Sequence, residues 1–157
     1  MLPGVTCTRL GADRCPGLLK PFVAQDGAII RLRVPGGRVR VSTLADLLAI
    51  GADHGAPLLS VTSRTNLQVR GLPDPLPEDV MVRAEATGLL PSPSHERARN
   101  ILAAPLAPDL QPLVAELDAA LCADPFLADL PGRFLFAVTD ATGAVLTEPV
   151  DAAYQAL

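Results

Sequence analysis

A chain of 157 residues, nearly half of them apolar and carrying a net charge of −4, has room for one ordinary domain or two small ones. No segment approaches the roughly 20 apolar residues that a membrane-spanning helix needs, and the start, Met1-Leu2-Pro3-Gly4-Val5-Thr6-Cys7, has neither the basic nor the apolar region of a secretory leader. A cytoplasmic protein without a membrane partner is expected, and the absence of Trp, the single Tyr and the acidic balance argue against base-stacking surfaces and a nucleic-acid partner.

Cys7, Cys15 and Cys122 are odd in number and scattered, which fits reduced thiols and gives no metal-ligand spacing, so no metal site is expected from them. Charge is unevenly placed. Residues 31–40 hold Arg31, Arg33, Arg38 and Arg40 with no carboxylate among them, whereas acids dominate after Asp109. An anionic ligand belongs with the basic half.

After the Pro/Gly-rich stretch Cys15-Pro16-Gly17, the run Ala28-Ile29-Ile30-Arg31-Leu32-Arg33-Val34 alternates apolar and basic residues over its second half and reads as a half-buried strand. Pro35-Gly36-Gly37 turns the chain, and Arg38-Val39-Arg40-Val41 suggests a second short extended segment. Leu44, Leu47, Leu48 and Ile50 recur at helical spacing from Thr43 to about His54, with Ser42 or Thr43 available as cap and Asp46 in the first turn. Leu58-Leu59-Ser60-Val61-Thr62 and Asn66-Leu67-Gln68-Val69-Arg70 are β-rich runs that meet at Ser63-Arg64-Thr65.

A linker from Pro73 to Pro77 precedes a weakly periodic helix from Glu78 to Leu89, ended by Gly88 or by Pro91-Ser92-Pro93. Ile101-Leu102-Ala103-Ala104 reads as a strand, and Leu110, Leu113, Val114, Leu117 and Leu121 mark a helix to about Ala123. Residues 133–146, with Asp140-Ala141-Thr142-Gly143 at their centre, read as a β-hairpin, and the last ten residues show little pattern. This mixed order argues an α+β chain rather than a doubly wound parallel sheet, with two small lobes packed together.

The groups with chemistry to offer are mainly guanidiniums. Arg64, and Arg97 and Arg99 further on, stay charged and present planar forks of donors, which suits a ligand bearing many carboxylates or an oxyanion. In a strand from Asn66 to Arg70, Asn66, Gln68 and Arg70 share one polar face while Leu67 and Val69 take the other. Against this stands the plainer reading that Arg31, Arg33, Arg38, Arg40 and Arg83 are solvated or surface-paired and that His54 and His95 are structural or solvent-facing. No Ser/His/Asp arrangement, phosphate loop or carboxylate pair stands out, and no catalytic residue is assigned.

Three segments resemble successive signatures of the nitrite/sulfite reductase family: residues 26–37, Thr62-Ser63-Arg64-Thr65-Asn66-Leu67-Gln68-Val69-Arg70-Gly71-Leu72, and Arg99-Asn100-Ile101-Leu102-Ala103-Ala104-Pro105-Leu106. Arg14-Cys15-Pro16-Gly17 and residues 130–138 narrow the likeness to that family's precorrin-3B synthase branch. The resemblance implies an α+β fold: a ferredoxin-like half-domain within residues 1–90, then a partial second α+β lobe over 91–157, corresponding to the start of the tetrapyrrole and [4Fe–4S] domain. It implies that Arg64 and Arg99 face a tetrapyrrole, joined by Asn66, Gln68, Arg70 and Asn100, and that the branch's reaction is oxygen-dependent hydroxylation of a polycarboxylate tetrapyrrole, precorrin-3A, in aerobic cobalamin biosynthesis.

The chain departs from that pattern where the cluster would be held. Such a cluster needs four thiolates, and three unrelated cysteines do not supply them. The chain is therefore expected to be truncated relative to the family and not self-sufficient as an oxidoreductase, binding no cofactor alone, with a second chain or second copy completing the fold and covering an open sheet edge. A non-catalytic tetrapyrrole-binding or partner-docking module, and a nitrite/sulfite reductase fragment bound to siroheme, are the alternatives.

Overall fold

The computed structural model describes residues 15–157; Cys7 and Arg14 lie outside them. The chain opens with a hairpin of β1 (Phe22–Ala24) and β2 (Gly27–Leu32), followed by α1 (Val41–Asp53), β3 (Leu59–Val61), β4 (Leu67–Leu72) and α2 (Glu78–Ala86). The four strands form one antiparallel sheet in the order β1-β2-β4-β3. Register follows from alternation: Ile30 stands opposite Val69 and Leu32 opposite Leu67, all buried, which leaves Arg31 opposite Gln68 on the other face.

Both helices cover the apolar face. On α1, Thr43, Leu47, Ile50 and Gly51 are buried, a spacing of four, three and one that keeps one stripe toward the sheet. Leu48, expected on that stripe, is exposed because the buried face is rotated toward Gly51. On α2, Val80 and Ala84 face inward, with Glu78 and Asp79 in the first turn and Arg83 in the last, each favourable to the helix dipole. Leu47, Ile50 and Val80 are fully buried, and each such burial contributes about 1.5–3 kcal/mol.

The second lobe holds β5 (Ile101–Ala103), α3 (Gln111–Ala123), β6 (Phe136–Thr139) and β7 (Ala152–Gln155), its strands parallel in the order β5-β6-β7. Val114 and Leu121 of α3 pack on Ile101, Ala103 and Val138; Leu102, Leu135, Ala137 and Val145 form a smaller cluster. The α+β class holds. No helix among the described residues is long and apolar enough to cross a membrane.

Three local expectations are corrected. Residues 133–146 are not a hairpin: Gly143 N–H donates to Asp140 O (3.1 Å) and Leu146 N–H to Gly143 O (2.9 Å), so the chain keeps turning, Val145 drops into the core, and the strand beside β6 is β7, parallel to it. Residues 38–41 form no strand, because β2 stays paired with β4 and α1 starts at Val41 without a cap from Ser42 or Thr43. Arg33, expected at the surface, is 1% exposed; β2 ends at Leu32, and the next residue turns inward.

That inward turn builds the joint between the lobes. Asn100 Oδ1 accepts from Arg33 Nε (3.2 Å) and Asn66 Nδ2 (3.0 Å), while Asn100 Nδ2 donates to Arg97 O (2.9 Å) and Gly132 O (3.1 Å). Asn66 Oδ1 in turn accepts from Val34 N–H (3.2 Å), and Arg33 Nη1 donates to Pro16 O (2.6 Å). A buried polar group without partners costs about 1–3 kcal/mol, so this network stands only because its members satisfy one another. Buried Glu96 adds a second tie, accepting from the amides of Leu18 and Leu19.

Candidate anion-binding cleft

The turn between β3 and β4 sets the first functional side chain. Thr65 N–H donates to Thr62 O (2.9 Å), Thr62 N–H to Asn66 O (2.9 Å), and Asn66 N–H to the Thr62 hydroxyl (3.1 Å). Thr65 takes a left-handed φ of 60°, so Ser63-Arg64-Thr65 is a three-residue hairpin loop of the type-I-plus-left-handed kind. Gly37, itself at φ 69°, passes so close that a Cβ there would sit 3.0 Å from the Thr65 side chain, which fixes the loop's base. Arg64 rides at the loop tip and donates from Nη1 to the backbone oxygen of Arg133 in the second lobe (2.6 Å).

Arg64 and Arg133 border a cleft of about 310 Å³ that Arg31 also lines. Thr62, Ser63 and Gly132 complete its polar wall, and Cys15 with Pro16 closes one side. No Asp or Glu is among the described residues that line it. Three permanently charged guanidiniums facing one small volume create a positive field that favours carboxylates or oxyanions, and each offers a planar fork that matches such groups.

The residues singled out in the sequence fall in different places. Arg64 is in the cleft, and Gln68 supports it from the sheet: with the amide turned to satisfy both partners, Oε1 accepts from Arg31 Nη2 (2.7 Å) and Nε (3.0 Å). Asn66 does not share the face of Gln68 and Arg70, as alternation had implied. It precedes β4, is 2% exposed, and belongs to the Asn100 network. Asn100, 1% exposed with both amide ends occupied, holds the lobes together.

Arg70 lies toward the far end of β4, where Nη2 pairs with Asp26 (3.2 Å) at the β1–β2 turn. Arg99 is 4% exposed and makes a bidentate pair with Asp118 of α3, Nε to Oδ1 and Nη2 to Oδ2 both at 2.7 Å, with Nη1 donating to Leu89 O (2.9 Å). Neither Arg70 nor Arg99 is among the residues lining the cleft. Their charges are met by carboxylates elsewhere.

Sequence reasoning put Arg31 in the basic stretch but read it as solvated or surface-paired, and it did not single out Arg133. Arg31 was reachable from pairing β2 with β4, since that register puts it on the face of Gln68; Arg133 had only the tight Pro131-Gly132 turn before it as a signal. The histidines are occupied. His95 Nε2–H donates to Asp124 O (2.9 Å), which leaves Nδ1 to accept from Ser92 (2.8 Å) or Ser94 (3.0 Å). His54 Nε2 stands 2.8 Å from Asp79, and this hydrogen bond, opposed by desolvation and helped by the charges of His54 and Arg83, holds the Asp79 carboxyl below its ordinary value.

The residues present do not fit a [4Fe–4S] cluster. The chain has three cysteines; Cys122 is a free thiol, and no group of three or more His, Cys, Asp or Glu that could hold a metal occurs among the described residues. Burial, more than the opposing pull of Arg99, pushes the Cys122 thiol up, away from the thiolate that ligation requires.

Fold and cleft together define an α+β protein with an arginine-lined cleft where its two lobes meet. Residues 23–86, from β1 to the end of α2, match the family model described as the Nitrite/Sulfite reductase ferredoxin-like half domain. That match contains Arg31, Arg64 and Gln68 and ends before Arg99 and Arg133. No curated protein matches the chain.

Proposed function

We propose that the chain is the carboxylate-anchoring part of a precorrin-3B synthase-like oxidoreductase, binding a polycarboxylate tetrapyrrole of the precorrin type at the arginine cleft. The observation that carries this reading is the convergence of Arg31, Arg64 and Arg133 on a volume with no acid among the described lining residues. The ferredoxin-like half-domain match supports the family context. Because these residues do not meet the four-thiolate requirement of a cluster, the redox centre lies outside them.

Charge-assisted hydrogen bonds contribute about 1.5–3 kcal/mol each. Three arginines therefore gross roughly 5–9 kcal/mol before association costs, which places the dissociation constant of this chain alone above about 1 µM. The test is an anaerobic absorbance titration with siroheme, an available polycarboxylate tetrapyrrole, comparing wild type with Arg64→Ala. Saturable binding weakened tenfold or more, as about 1.5 kcal/mol implies, supports the reading; absence of binding by wild type removes it.

The shortage of thiolates favours a second reading, a non-catalytic tetrapyrrole-binding or partner-docking module. Iron and acid-labile sulfide, assayed with and without a candidate partner chain, separate the two: the oxidoreductase reading requires both in the assembled complex.

A further inference from the structure

The segment between α2 and β5 gathers two hydroxyls and an imidazole, none of them among the described residues that line the cleft. Pro91 and Pro93 each fix φ at about −65°. The chain then turns twice, His95 N–H donating to Ser92 O (3.2 Å) and Glu96 N–H to Pro93 O (3.4 Å). These turns bring both serines onto one ring nitrogen. Ser92 Oγ stands 2.8 Å and Ser94 Oγ 3.0 Å from His95 Nδ1, and the two hydroxyl oxygens are 3.3 Å apart.

The far nitrogen of the ring decides the tautomer. Nε2 faces the Asp124 backbone oxygen at 2.9 Å; a carbonyl only accepts, so Nε2 carries the proton and Nδ1 turns its lone pair to the serines. Nδ1 has a single lone pair, so one hydroxyl donates to it and the other donates to that hydroxyl's oxygen. In either order the Ser94 proton can reach Nδ1, directly or through Ser92. His95 is 3% exposed, whereas Ser94 is exposed, which puts a shielded base behind an accessible hydroxyl.

We propose that Ser94 is a nucleophile with His95 as its base and the Asp124 carbonyl as the group that orients the ring, and that it accepts the acyl group of small activated esters. Ser94 Oγ bonds to the ester carbonyl carbon and its proton passes to Nδ1. The bond from that carbon to the leaving oxygen breaks, and the leaving alkoxide takes the proton back from Nδ1. The product is an ester on Ser94. This site is separate from the tetrapyrrole reading and does not depend on it.

The experiment treats the full chain with p-nitrophenyl acetate and follows acetylation of each serine by peptide mass spectrometry. Ser42 and Ser63, both exposed and neither hydrogen-bonded to a histidine among the described residues, serve as references in the same molecule. General-base help of roughly 10²–10⁴-fold predicts that Ser94 reacts at least about 100-fold faster than either. His95→Gln keeps an amide that can reach Asp124 O but supplies no base, so Ser94 should fall to the reference rate while the circular dichroism spectrum is unchanged. Unfolding wild type in about 8 M urea should equalise the three serines, because the ring is then no longer held to Asp124 O; where His95→Gln does not fold, this comparison decides. A Ser94 rate less than about tenfold above the references in folded wild type overturns the assignment. So does a folded His95→Gln variant labelled as fast as wild type, or a preference for Ser94 that persists in urea.

Discussion

Replacing Asp118 by Ala strips the Arg99 guanidinium of its carboxylate partner while leaving it inside the second lobe. Arg99 is 4% exposed and its two hydrogen bonds to Asp118 are both 2.7 Å, so little water can replace the carboxylate. An uncompensated charge of this kind costs about 3–5 kcal/mol, a large share of the roughly 5–15 kcal/mol that holds a domain folded. Arg99→Met should cost less, about 1–3 kcal/mol, because Asp118 is 19% exposed and can turn toward solvent. Urea unfolding followed by circular dichroism reads both as midpoint shifts at constant slope, and the Asp118→Ala melting temperature should fall by roughly 6–20 °C. A loss below about 0.5 kcal/mol for Asp118→Ala would refute the argument. So would an Arg99→Met variant of unchanged stability that binds siroheme tenfold more weakly, since that would return Arg99 to the ligand.

Asn100→Ala removes four hydrogen bonds in one step and should destabilise by about 3 kcal/mol or more, measured by urea unfolding, because the Arg33 and Asn66 donors stay buried. Gly51→Ala places a Cβ 2.1 Å from the Ala56 backbone oxygen, so the loop that follows α1 must shift at a cost of about 1–3 kcal/mol, visible as a lowered melting temperature. The lowered Asp79 carboxyl stabilises the fold above the ordinary value of 3.8 and loses that contribution as pH falls through its lower native value. Asp79→Asn should therefore flatten the dependence of stability on pH below the ordinary value of 3.8, read by denaturant unfolding as the pH is lowered.

How much of this was legible depends on how local the cause is. The strand at Leu67 and Val69 and the helices around Leu47 and Val114 follow from periodicities within a dozen residues, and the structure puts elements there. The β7 strand was hidden because its residues are mostly exposed and lack an apolar rhythm, while Asp140-Ala141-Thr142-Gly143 carries the composition of a hairpin turn in a segment that turns repeatedly. Arg99 and Arg64 look alike as residues. Their difference lies in partners far along the chain, Asp118 in α3 and the Arg133 carbonyl before β6, and no local pattern announces either. The inward turn of Arg33 likewise depends on Asn100, 67 positions away.

The Asn100 junction also bears on how the molecule comes apart. Each lobe has its own apolar cluster, which would ordinarily let the two melt separately. Here one amide side chain is shared by Arg33 and Asn66 on one side and by Gly132 on the other, so opening either lobe strands buried donors or acceptors of its neighbour. Heating should accordingly give one calorimetric transition whose van't Hoff and calorimetric enthalpies agree. A chain cut between α2 and β5 should yield two fragments that gain structure only when mixed.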